Sequence, residues 1–160
     1  FQLVDEKRRV KVVYLAKGIS NHDLVDKRWI ADKYGIPGDR YALFAMIRGD
    51  ASDGLPGIRG IGEKGAAIIA NNFADMGSVL AAAGGTDANL PEPLRKKLLA
   101  DIEYAEKAER LVHCAKDAPV PEMGLNLPKK ISRLDELYSY KERFNLGSSI
   151  DRIISAIESR

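Results

Sequence analysis

The segment Gly49-Asp-Ala-Ser-Asp-Gly-Leu-Pro-Gly-Ile-Arg-Gly-Ile-Gly-Glu-Lys-Gly-Ala-Ala67 constrains this chain more than any other stretch. Six glycines and a proline rule out a continuous helix or strand there. Gly57-Ile-Arg-Gly60-Ile-Gly62-Glu-Lys64 opens directly into an alanine-rich helical pattern. A glycine hairpin before a helix points backbone N–H groups at an anion, and the helix dipole favours negative charge at that end. Gly57 and Gly60 give access to backbone conformations closed to other residues. Gly62 leaves room for a phosphate at the helix start. Lys64 falls in the first helical turn, where a cation is unhelpful to the dipole unless an anion comes close. Just upstream, Asp50 and Asp53 are carboxylates three apart beside glycines, a spacing that suits a divalent metal. Each feature has a plainer reading. Glycine hairpins also serve as tight interhelical turns, and aspartates beside glycine also shape turns or cap helices.

The rest of the sequence bounds the setting. With 160 residues, 45% of them hydrophobic, the chain can build one compact domain with a core. Lys and Arg number 25 against 23 Asp and Glu, so any basic face must be local. The lone cysteine, Cys114, excludes a disulfide within one chain and fits a reducing compartment. No apolar run approaches the roughly 18 residues of a membrane span, so no membrane partner is expected. Phe1-Gln2-Leu3-Val4 reads as the end of an element begun upstream, and we expect a fragment or trimmed product.

Arg9 to Leu15 reads as a strand, buried in part on both faces and lacking an evident partner. Helices are expected over 26–34, 39–48, 64–72, 78–83, 94–116, 134–144 and 148–157. Gly35 and Pro37 stop the first. The 94–116 pattern is the longest, with an apolar stripe of Leu94, Leu98, Ile102, Ala105, Ala108, Leu111 and Val112. Pro119 and Pro121 break the chain around a short edge strand. Asp135 and Ser148 or Ser149 are candidate N-caps. Trp29, Tyr41 and Phe44 read as core, and Arg95-Lys96-Lys97 as a solvated helix start that could also touch DNA. His22 and His113 are lone histidines, and the pair His113-Cys114 has no companions at zinc spacing. Two carboxylates alone cannot build a two-metal hydrolytic site, which needs several ligands around ions roughly 4 Å apart.

Arg48 to Lys64 strongly resembles the hallmark segment of bacterial 5′–3′ exonucleases, which include free-standing enzymes and the N-terminal domain of DNA polymerase I and are related to flap endonucleases. The resemblance covers nearly the whole chain. Phe1-Gln-Leu-Val resembles the residues after that family's Gly-Asp-x-Asp metal motif, and Phe144 to Ile150 its closing helix region. It implies a mainly α chain: a helix–three-turn–helix DNA-binding region containing a helix–hairpin–helix, with an N-terminal strand left from an upstream α/β PIN-like nuclease domain. The corresponding boundaries are 1–25 for the remnant, 26–117 for the DNA-binding region with its hairpin at 56–65, and 118–160 for a C-terminal extension. By the same resemblance Asp50 and Asp53 are catalytic residues ligating Mg²⁺ or Mn²⁺. Gly57, Arg59, Gly60, Gly62 and Lys64 grip duplex phosphates. The carbonyls of Pro56, Ile58 and Ile61 hold K⁺. Most of the family's metal carboxylates would lie upstream of Phe1, so this chain alone should lack nuclease activity. The implied partner is double-stranded DNA with a 5′ end, nick or flap, bound by a monomer in the bacterial cytosol. Gly54 and Gly65 stand where the family commonly has Asn and Thr; Gly65 forgoes a hydroxyl contact and about 1 kcal/mol of helix propensity relative to alanine. The alternatives are a helix–hairpin–helix DNA-binding module without catalysis, or a helical protein-interaction domain that uses the hairpin only as a turn.

Overall fold

The computed structural model describes residues 1–121, 124, 126 and 129–159. Among them are eight α-helices and one two-stranded sheet. The chain divides into two compact units, Phe1–Ala118 and Pro119–Arg160.

In the first unit β1 (Val12–Tyr14) pairs antiparallel with β2 (Asp23–Val25), with Val12 opposite Val25 and Tyr14 opposite Asp23. The strand expected at 9–15 is therefore shorter, and its partner lies within this chain. β2 escapes a sequence reading because three residues are too few to show an alternation. Burial on both faces does not occur: Val13 and its partner Leu24, on one face of the ribbon, are half exposed, as is Leu15.

Helix α1 (Lys27–Tyr34) begins at Asp26, whose carboxylate accepts the Trp29 amide at 2.9 Å, and ends at Gly35 in the left-handed conformation. The stop at Gly35 agrees with the sequence, whereas Asp26, expected as the first helical residue, is the cap. Helix α2 (Tyr41–Arg48) is the central element; Leu43 through Ile47 are all buried, as expected of a helix that is apolar nearly all round. Helix α3 (Glu63–Asn72) packs along it through Ala66, Ile69 and Ala70. Helix α4 (Met76–Gly84) starts with a capping box between Asp75 and Ser78. No single helix is long and apolar enough to cross a membrane. Ala66, Ile69 and Ala70 of α3 and Met76, Val79, Ala82 and Ala83 of α4 belong to the core, while Ile68 stays exposed.

The long pattern at 94–116 resolves into two helices, α5 (Glu92–Ala100) and α6 (Ile102–Val112), broken at Asp101. Leu98, Ala105, Ala108 and Val112 reach the core, whereas Ile102 and Leu111 stay exposed. Phe1, Tyr14, Trp29, Tyr34, Tyr41 and Phe44 form a chain of ring contacts, with Phe1 5.2 Å from Tyr14 and 5.3 Å from Trp29. The Gln2 side chain donates to the Val112 carbonyl at 2.7 Å, tying the N-terminal segment to the end of α6.

The second unit contains α7 (Leu134–Arg143) and α8 (Ser148–Glu158), joined by an ion pair of Lys141 with Asp151 at 2.8 Å. The N-caps are Arg133 and Gly147, not the expected Asp135 and Ser148 or Ser149, which lie within the first helical turns. Pro119 and Pro121 form no strand; residues 122, 123, 125, 127 and 128 of the expected edge lie outside the described residues.

Arg95 departs most from expectation. It is buried rather than solvated. Its guanidinium donates to the carbonyls of Ala82, Ala83, Gly85, Asp87 and Leu90, and its Nε pairs with Glu92 at 3.3 Å. The end of α4 and the following loop gather five carbonyls around one planar cation; those of Ala82 and Asp87 also accept the Gly85 and Leu90 amides, while the other three have no second donor among the described residues. Arg95→Met keeps the aliphatic bulk and strands the Ala83, Gly85 and Leu90 acceptors. We expect a loss of about 2–4 kcal/mol, read as a lower urea midpoint at unchanged slope.

Candidate nucleic-acid interface

The candidate site is built where α2 ends. Gly49, at φ 80°, donates its amide to Ala45 and turns the chain out of the helix. Asp50 and Leu55 then exchange two backbone hydrogen bonds, both 2.9 Å, closing a small loop. Within it Ala51–Asp53 make a single 3₁₀ turn and Gly54 is left-handed at φ 70°. A glycine fits that backbone where asparagine is the other tolerated residue.

The two aspartates are not equivalent. Asp50 Oδ1 accepts both the Ser52 hydroxyl at 2.6 Å and the Ser52 amide at 3.1 Å, while Oδ2 faces Arg48 at 3.8 Å. The Ser52 hydroxyl, helped by its amide and by Arg48, holds the Asp50 carboxyl below the usual range. Asp53 is exposed, and among the described residues its carboxylate has no hydrogen bond or ion pair. Both offer oxygen donors of the kind a hard divalent cation takes. No group of three or more His, Cys, Asp or Glu gathers among the described residues. The donor set therefore fits part of a metal site.

Arg48 links this loop to the hairpin. Its guanidinium lies 4.9 Å from the Phe44 ring centroid and 4.0 Å from Glu63 in the first turn of α3. Neighbouring Tyr41 has its phenol pushed up to about 12 by burial.

The hairpin itself is anchored on its inner side. Gly57 sits at φ 69°, so close to α2 that a Cβ there would lie 2.5 Å from the Arg48 carbonyl oxygen. Ile58 and Ile61 are buried, the Ile58 amide donates to Ile47 at 2.9 Å, and the Ile61 amide closes a turn onto Ile58 at 2.9 Å. Gly60 is left-handed at φ 80°. Gly62, in contrast, is extended and has open space around it. Among the described residues the amides of Gly60, Gly62, Glu63 and Lys64 have no hydrogen-bond partner. Arg59 and Lys64 are exposed beside them. The Ile58 carbonyl accepts the Ile61 amide, while those of Pro56 and Ile61 accept nothing among the described residues. Carbonyls with free lone pairs are the donors a monovalent cation would need.

Sequence reading missed the residues that brace the hairpin from the other side. Lys97 Nζ donates to the Gly60 carbonyl at 2.8 Å and Asp101 Oδ2 accepts the Arg59 amide at 2.8 Å; beside them the Tyr104 hydroxyl ties α6 to α2 through the Met46 carbonyl at 3.0 Å. Nothing local marks them, because their partners lie some forty residues or more away in sequence. The role of Gly65 also changes. A Cβ there would meet Ile61 Cγ2 at 2.9 Å and Leu94 Cδ2 at 3.1 Å, so packing favours glycine despite its helix propensity.

Residues 36–142 match the family model described as 5′-3′ exonuclease, C-terminal SAM fold. Over 157 residues the chain is 39% identical to a 5′-3′ exonuclease of Streptomyces coelicolor, covering 98% of this chain and 52% of that protein. It is 35% identical over 166 residues to a 5′-3′ exonuclease of Mycobacterium tuberculosis, covering 98% of this chain and 51% of that one. It is 32% identical over 148 residues to the thermostable DNA polymerase I of Thermus filiformis, covering 92% of this chain and 17% of that protein. The chain thus spans about half the length of the two exonucleases. It belongs to the 5′-3′ exonuclease family, whose C-terminal SAM fold it carries.

The two kinds of glycine separate in a stability measurement. Gly57→Ala forces a Cβ into the α2 backbone at positive φ and should cost about 2 kcal/mol or more. Gly62→Ser enters open space at an accepted N-cap position and should change stability by less than about 1 kcal/mol. Thermal melts of the two variants check the contrast.

Proposed function

We propose that this chain is the duplex-binding part of a metal-dependent 5′–3′ exonuclease acting near 5′ ends, nicks or flaps during DNA replication and repair. The observation that carries the reading is the set of unpartnered amides at Gly60, Gly62, Glu63 and Lys64, held on the outer side of a hairpin fixed from within. Phosphate oxygens are the matching acceptors, and Lys64 and Arg59 supply charge beside them. Ile58 and Ile61, the bulky apolar residues of the hairpin, are turned into the core, and contacts to phosphate carry no direct sequence information. Binding should therefore be independent of sequence. With perhaps three to five phosphates neutralised, log affinity should fall with log salt at a slope of about −3 to −4.5. The reading includes a monomer working in the bacterial cytosol, with K⁺ held by the carbonyls of Pro56, Ile58 and Ile61.

In this reading Asp50 and Asp53 hold one divalent ion, Mg²⁺ or Mn²⁺. Asp50 is fixed in place by Ser52, whereas Asp53 is free to adjust. Bound there, such an ion supplies Lewis acidity for water activation and charge neutralisation at the leaving oxygen. The chain's own part is positioning: the hairpin grips the duplex two residues beyond the loop that carries the carboxylates. Two carboxylates do not complete a hydrolytic site, so this chain by itself should bind duplex without cutting it.

Lys64→Glu suits the helix N-terminus, so the fold should survive while duplex affinity drops and the salt slope shrinks by about 1. Unchanged binding by the folded variant would remove the hairpin from the interface. In an active enzyme that includes these residues, Asp50→Asn with Asp53→Asn should abolish most turnover while sparing metal-free DNA binding. Full activity in that double variant would mean that the aspartates only shape the loop, and would favour a purely binding role for this region.

A further inference from the structure

Asp101 is shared by two helices, ending α5 and starting α6 with φ −128° and ψ 31°. Its amide donates to Leu98 at 3.1 Å and its carbonyl accepts the Ala105 amide at 3.2 Å. An aspartate at a helix start ordinarily turns its carboxylate onto the first-turn amides. Asp101 makes no such cap. Oδ2 instead accepts the Arg59 amide at 2.8 Å, 42 residues away, and Oδ1 lies 3.6 Å from Arg59 Nη2. The Asp101 side chain is 16% exposed, whereas that of Arg59 is 89% exposed.

Two effects of this carboxylate oppose each other where DNA is concerned. Its charge lies beside the phosphate-facing amides and part-neutralises Arg59, which weakens attraction to an anion. Its hydrogen bond does the opposite. Gly60, at positive φ, is the most freely rotating residue of the hairpin tip. Asp101 holds the amide of residue 59 and Lys97 holds the carbonyl of residue 60. Those two fixed points flank the peptide that carries the Gly60 amide and narrow the conformations open to it.

We propose that Asp101 is a positioning residue for phosphate binding: it anchors the Arg59 amide so that the hairpin meets DNA already set. The anchoring outweighs the repulsion from the carboxylate's own charge, because order created beforehand need not be created on binding. This rests on the hairpin's being the phosphate-binding element. Arg59 then has a divided role, its amide serving the fold and only its guanidinium free to swing toward a phosphate.

Three substitutions separate charge from anchor. Asp101→Asn keeps an acceptor oxygen in place and removes the charge. Asp101→Ala removes both. Asp101→Glu keeps the charge and displaces the acceptor. Affinity for a short fluorescent blunt duplex is measured by anisotropy at several salt concentrations, alongside amide hydrogen exchange at Arg59 and Gly60 in the free chain. The Asn variant should bind at least as tightly as the unmodified chain, and several-fold tighter at low salt. The Ala variant should bind roughly tenfold more weakly than the Asn variant, the scale of one lost hydrogen bond, with faster exchange at Arg59. Ala binding as tightly as Asn would overturn the proposal, since charge alone would then account for the effect. If Asp101→Ala does not fold, Asp101→Glu against the unmodified chain decides at constant charge: weaker binding supports the anchor and equal binding overturns it. If the unmodified chain binds no duplex, the phosphate reading fails. The exchange comparison still decides the anchor, and unchanged Arg59 protection in Ala and Glu overturns it.

Discussion

The backbone contact between Gly57 and the end of α2 is the constraint on which the candidate site depends. Gly57 lies against the Arg48 carbonyl and the Gly49 amide with no room for a side chain. That approach lets the Ile58 amide reach Ile47 and drops Ile58 and Ile61 into the core. Helix α3 can then start one turn later and lie along α2. The hairpin is thus part of the hydrophobic core on one side and open backbone on the other. Core packing fixes where the amides point, so a hydrophobic change deep beneath the hairpin would be felt at its polar surface.

The same geometry gives the Asp50–Leu55 loop its asymmetry. Asp50 is held by Ser52 and shares Arg48 with Glu63, so its carboxylate already has neighbours before any ligand arrives. Asp53 has none among the described residues. The turn-shaping and metal-binding readings of this pair are therefore not exclusive for Asp50: one oxygen shapes the turn while the other meets only Arg48, at 3.8 Å, among the described residues. For Asp53 no turn-shaping role is visible, which makes it the more telling of the two.

Local signals in the sequence were enough for much of this. Gly35 ends α1 as capping chemistry requires, the helix expected over 39–48 forms over Tyr41–Arg48, and the glycines at 57 and 60 adopt positive φ. What escaped depends on distant partners. Asp101 interrupts an amphipathic run without a glycine or proline, and only its bond to Arg59 explains where its side chain goes. Arg95 stands in an Arg-Lys-Lys run that reads as solvated, yet it alone meets a cluster of carbonyls and is buried. β2 is three residues long and is defined by its pairing rather than by its composition.

Gly65, Ile61 and Leu94 form a small interlocking set in which the shape of each limits the others. A β-carbon at position 65 presses on buried Ile61 and half-buried Leu94, so a hydroxyl-bearing residue cannot be introduced there in one step without disturbance. Trimming Leu94 first would relieve one of the two contacts, leaving Ile61 to shift by a few tenths of an ångström, at the cost of a cavity while position 65 remains glycine. The order of substitutions therefore matters. Two proteins of this fold can differ at position 65 with both well packed, yet be separated by intermediates that are not. The residue found at the start of α3 is in this sense contingent on the history of α5, a helix that does not touch the candidate phosphate site at that point.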